Sequence, residues 1–162
     1  GVLDHQDVLV ADRRRHDPKG LGEHDLSHHP ALTGTQGTRG LPLAGASERW
    51  AAVSESVARA VSDGRADAGV LFCWTGTGAS IAANKVRGVR AALCADAQTA
   101  AGARRWNDAN VLVMSLRSTS PAIAIEMLDA WFESSPDPDE RATIATIEVP
   151  RHHEAEPKPA LN

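Results

Sequence analysis

GVLFCWTGTGASIAANKV, residues 69–86, joins an apolar run to a glycine-rich loop and then to a helix-forming segment, with a lone cysteine at the first junction. The run ending at Cys73 has the composition of a strand buried on both faces. The loop WTGTGA follows, and residues 80–86 read as a short helix. In an open α/β sheet, ligands are held at the carboxyl ends of strands, and N–H groups converging at a helix start make a neighbouring thiol easier to ionise. The loop lacks the third glycine of the dinucleotide fingerprint and the Lys-Ser/Thr of the triphosphate loop. It therefore reads either as a cradle for an oxyanion or phosphate, or as a tight turn that needs glycine for backbone reasons alone.

The pattern continues on both sides. Residues 89–94 (VRAALC) and 110–115 (NVLVMS) read as strands, with a helix between them over AQTAAGARRW. A helix follows in SPAIAIEMLDAWFES, with Ser120 as its cap and Pro121 at its first position. Before the central stretch, Trp50, Val53, Val57, Ala60 and Val61 recur at helical spacing; Ser47 is placed to cap this helix and Gly64 to close it. Strand and helix alternate, which predicts an α/β protein: a three-layer sandwich of a mainly parallel sheet with helices on both faces.

The ends are different. Within the first 45 residues only 7–12 (DVLVAD) reads as a strand, and 13–45, rich in His, Gly and Arg, is expected to be loop or poorly ordered. DERATIATIEV reads as a helix or a short strand, and the residues from 150 as a frayed tail. All 162 residues suit a single domain. His24 and His28 stand one helical turn apart, a spacing that can bind a metal, but flanking Gly and Pro disfavour a helix there and no metal or cofactor is expected.

The net charge of −4 comes from interspersed acids and bases, which points away from nucleic acid and toward a small molecule. Cys73 and Cys94 have no disulfide or zinc-knuckle spacing, which suits a reducing cytoplasm. No apolar run approaches the roughly 20 residues of a membrane span, and no secretory signal pattern opens the chain.

Residues 47–148, most strongly 69–117, resemble the ribose-5-phosphate isomerase B and galactose-6-phosphate isomerase family. The residues that carry the likeness are Cys73, Thr75, Gly76, Gly78, the run SIAANK, then RAALC, then Asn107 and NVL. The resemblance implies a Rossmann-like fold, a homodimer or dimer of dimers, and metal-free aldose–ketose isomerisation of a phosphorylated sugar through a cis-enediolate. It makes Cys73 the catalytic base and puts Thr75 beside the substrate. It also makes Gly76, Gly78, Ala79 and Ser80 the anion-binding loop, Asn107 a site residue, and Arg117 and Arg141 phosphate ligands. Cys94 reads as core.

Three departures stand out. Where the family has an Asp-His pair after its first strand, only Asp12 is present. Where the family has a ring-opening histidine, this chain has Trp106, and residues 46–151 contain no histidine. Trp74 replaces the first loop glycine, either narrowing the pocket or simply packing. The loss of the histidine alone is compatible with an open-chain substrate.

Overall fold

Apolar runs alternating with amphipathic helices bury both faces of a sheet, and the computed structural model has that form over Val8–Ala11 and residues 49–148, the residues it describes. The strands are β1 (Val8–Ala11), β2 (Ala68–Cys73), β3 (Ala91–Leu93) and β4 (Val111–Ser115), in the order β1-β2-β4-β3. β2, β4 and β3 are parallel, with Gly69 opposite Val111, Cys73 opposite Ser115 and Ala91 opposite Val111. β1 runs antiparallel along the outer edge of β2, with Val8 opposite Leu71. The expected strand at 7–12 thus exists, and it makes the sheet mixed at that edge.

Side chains alternate across the sheet because successive strand residues point to opposite faces. Val70, Phe72, Leu112 and Met114 face helices α3 (Ala97–Asn107) and α4 (Pro121–Glu133), meeting Ala100, Met127, Leu128 and Trp131. Leu71, Val111 and Val113 face α1 (Trp50–Ser62) and α2 (Thr77–Ala83), meeting Val57, Ala58, Ala79 and Ala83. These are the three layers predicted. Full burial of a large apolar side chain contributes about 1.5–3 kcal/mol, and Leu71, Leu112, Met114 and Leu128 are each buried to that extent.

Local signals set most helix ends. Ser120 accepts a hydrogen bond from Ile123 N–H ahead of Pro121, Asp96 accepts one from Thr99 N–H, and Gly64 closes α1 at φ +70°. α1 starts after Arg49, which supplies no side-chain cap; Ser47 lies outside the described residues. The ambiguous DERATIATIEV segment is helical over its described residues, to Glu148: a 3₁₀ turn (Pro138–Glu140) leads into α5 (Arg141–Glu148).

α5 is tied to the sheet by Arg90, whose Nη1 lies 2.6 Å from Glu148 Oε1 and whose Nη2 lies 2.9 Å from Asp108 Oδ2. Asp108, at φ 44°, also pairs with Arg104, whose guanidinium lies 5.4 Å from the Trp131 ring centroid. Among the described residues no helix is long and apolar enough to cross a membrane.

Candidate functional site at the carboxyl end of β2

Cys73 is the last residue of β2, and its partly exposed side chain lies on the α1/α2 face. The chain just beyond it is bonded to the chain leaving β4. Leu116 N–H donates to the Cys73 carbonyl at 3.0 Å, and Arg117 N–H to the Trp74 carbonyl at 3.0 Å. Ser115 Oγ donates to the same Trp74 carbonyl at 3.0 Å. Two stretches more than forty residues apart are thereby held side by side, and the exposed Arg117 is brought next to the cysteine loop.

Gly76 is the N-cap of α2 at φ +78°, which L side chains rarely adopt. A Cβ there would also collide with Leu93 Cδ1. This left-handed turn starts α2 at Thr77, three residues before the Ser80 expected from the sequence. Gly78 lies under the Trp50 ring, whose Cζ3 would be 3.0 Å from a Cβ at that position. The first turn of α2 leaves backbone N–H groups without intrahelical partners. Thr75 and Thr77 share a hydroxyl–hydroxyl hydrogen bond of 2.9 Å at this helix start. An oxyanion placed here would meet backbone donors, two hydroxyls and the positive helix end.

Some of the expected residues have other partners. Ala79 is buried in the core, Ser80 N–H donates to the Gly76 carbonyl at 3.0 Å, and Ser80 Oγ donates to the Ala91 carbonyl at 3.3 Å. Trp74 is 61% exposed beside the thiol. Trp106, 54% exposed, lies over Gly102 and lines a groove of about 510 Å³ together with Leu93, Cys94, Asp96, Thr99 and Asn107. Asn107 also borders a second cavity, of about 620 Å³, with Asn84, Arg90 and Glu148. Cys73 lines neither cavity; Leu93, which lines the groove, also packs against Gly76 of the loop.

Arg141, exposed, opens α5, which reaches the sheet through Glu148 and Arg90. Asp12, His24 and His28 lie outside the described residues. Among the described residues no group of three or more His, Cys, Asp or Glu could hold a metal ion. Cys94 is buried; desolvation first, and then the nearby Asp96 charge, push its thiol up to about 11. Sequence reasoning passed over Ser115, Trp50 and Asn84 as parts of this region. Asn84 carried a signal, a side-chain amide closing a run of small helix residues inside the motif itself.

The Ribose/Galactose Isomerase family model matches residues 37–147. D-erythrulose-4-phosphate isomerase of Pectobacterium atrosepticum is 42% identical over 82 residues, 51% of this chain and 54% of that protein. Ribose-5-phosphate isomerase B of Escherichia coli is 44% identical over 78 residues, 48% of this chain and 52% of that protein. This chain thus spans about half the length of the curated relatives it matches. Among solved structures, the type B ribose 5-phosphate isomerase of Trypanosoma brucei aligns with a TM-score of 0.60 at 40% identity, covering 62% of this chain and 69% of that one. The Clostridium thermocellum ribose-5-phosphate isomerase B aligns with a TM-score of 0.61 at 34% identity, covering 62% and 69%.

Proposed function

We propose, from the premise that this chain belongs to the Ribose/Galactose Isomerase family, that it interconverts an aldose phosphate and a ketose phosphate with Cys73 as the base. The observation that carries this reading is the set of hydrogen bonds joining Cys73 and Trp74 to residues 115–117. It puts a thiol, a helix start rich in N–H groups and an arginine at one end of the sheet.

In the proposed reaction, the Cys73 thiolate takes the proton from the hydroxyl-bearing carbon beside the carbonyl. The enediolate oxygen rests on the N–H groups at the start of α2, and the Thr75 hydroxyl relays the proton between the two oxygens. Cys73 then returns its proton to the former carbonyl carbon, so no atom is gained or lost. Arg117 holds the phosphate through its guanidinium fork. Trp106 and Asn107, which lie off the cysteine loop within one subunit, reach it from a second copy in a homodimer, and Arg141 and Asp12 complete the phosphate and sugar contacts.

An indole N–H donates a hydrogen bond but does not titrate near neutrality, so Trp106 cannot protonate a ring oxygen. The substrates that fit best are therefore open-chain. A four-carbon sugar phosphorylated on its terminal oxygen has no hydroxyl placed to close a furanose ring, and the named activity of the Pectobacterium relative is on such a compound. The test is a panel of tetrose, pentose and hexose phosphates in deuterated water, followed by NMR at C1 and C2. Exchange in the wild-type protein that disappears in Cys73→Ala supports the enzyme. Saturable binding with no exchange would instead make this a sugar-phosphate binding module.

A further inference from the structure

The seven-residue helix α2 carries the candidate anion loop at its start, and a helix this short does not hold itself in place. Its N-cap, Gly76, supplies no side-chain hydrogen bond. At its other end, Asn84 makes three side-chain hydrogen bonds: Nδ2 donates to the Ser80 carbonyl at 2.9 Å and to the Ala91 carbonyl at 2.8 Å, and Oδ1 accepts from Ala91 N–H at 2.8 Å. Ala91 belongs to β3, which ends the strand order. The Asn84 amide thus pairs with the edge of the sheet that is open among the described residues as a neighbouring peptide group would, and at the same time closes the last turn of the helix.

We infer that Asn84 is a positioning residue for the loop that follows Cys73, holding the N–H groups of α2 in place by locking the helix to Ala91. This rests on the isomerase reading above. Core burial of Ala79 and Ala83 keeps α2 against the sheet, and Trp50 on Gly78 buttresses its start. Small residues on a flat contact resist sliding and tilting weakly; directional hydrogen bonds to one strand residue resist both. The only other side-chain bond from α2 to the sheet among the described residues is that from Ser80 Oγ to Ala91, longer at 3.3 Å. A catalytic displacement of about 1 Å can cost on the order of a hundredfold in rate.

Asn84→Asp keeps the shape and the acceptor for Ala91 N–H, but an ionised carboxylate faces two carbonyl oxygens where Nδ2 had donated. Asn84→Ala removes all three bonds and serves if the aspartate variant does not fold. Steady-state kinetics would be run well below each variant's melting temperature, with residue-level amide exchange by NMR alongside. The amide of Ser80 is the reporter, because it bonds the Gly76 carbonyl at the start of α2. The expected result is a fall in kcat of about ten- to a hundredfold, KM changed less than about threefold, and faster exchange at Ser80 with the β4 amides unchanged. Unchanged kcat in folded variants, or loss only in step with the unfolded fraction, would overturn the inference. If the wild-type protein turns over none of the panel, it is the isomerase reading that fails. Amide exchange then decides alone: faster exchange at Ser80 supports the positioning role, and unchanged exchange overturns it.

Discussion

Replacing Gly76 with alanine tests the loop at the point where two different costs meet. At φ +78° an L residue is strained, and the new methyl collides with Leu93 Cδ1, whereas Met114 O and Val113 Cγ1, each at 3.5 Å, are ordinary contacts. The backbone cost is about 1–2 kcal/mol; Leu93 Cδ1 is the end of a flexible, exposed side chain that can swing aside, which adds only about 0.5–1.5 kcal/mol, so Gly76→Ala should destabilise by roughly 1.5–3.5 kcal/mol. Leu93 is 39% exposed, so Leu93→Ala alone should cost only about 1 kcal/mol, well below a buried truncation. In the double variant the collision disappears and the backbone strain stays. The pair should therefore be more stable than the sum of the single effects by about 0.5–1.5 kcal/mol. Urea unfolding of the four proteins, with equal m-values as the two-state check, gives that coupling directly. Additivity to within about 0.3 kcal/mol would mean that Leu93 does not back the loop. A neutral Gly76→Ala would refute the left-handed turn itself.

Trp106→His should raise turnover of ring-closing pentose phosphates more than that of a tetrose phosphate, by up to about 10²–10⁴-fold if the imidazole reaches the ring oxygen; an equal response from both classes refutes the open-chain account. Hydrogen bonds from the Thr99 amide and hydroxyl hold the Asp96 carboxyl below its ordinary 3.8, so its stabilising effect is complete above that value and is lost as pH falls through the lowered one. The gap in urea midpoint between wild type and Asp96→Ala should accordingly narrow on acidification below 3.8, and a gap independent of pH would remove Asp96 as the cap. Cys94 stays protonated in the folded state up to about 11 but ionises near 9.0 when unfolded, so stability should fall as pH rises between those values, and Cys94→Ala should remove that loss. In the folded protein at mildly alkaline pH, iodoacetamide followed by peptide mass spectrometry should find label on the partly exposed Cys73 and none on Cys94; labelled Cys94 would contradict its burial.

The local part of the architecture is legible in single residues and short runs. The apolar runs ending at Cys73 and Ser115 mark β2 and β4, because a strand buried on both faces must be apolar throughout, and the run ending at Cys94 marks the partly exposed β3. Ser120 with Pro121, and Gly64, mark helix ends because capping is a matter of one or two residues. Cys73, the glycine loop and the resemblance they carry were legible for the same reason: they are contiguous. Packing in three dimensions set the antiparallel pairing of β1, the early start of α2 after Gly76 and the bond from Arg117 to Trp74. It also decided that Asn84 locks to Ala91 and that Trp106 and Asn107 line a separate groove. The pairings of β1 and of Arg117 depend on strand register and on hydrogen bonds between residues far apart in the chain, such as Cys73 opposite Ser115, and the Asn84 lock, though it spans only seven residues, depends on which edge of β3 the sheet leaves to it. A backbone N–H or carbonyl has the same chemistry at every position, so its distant partner cannot be read from the residues around it and is settled only when the layers pack.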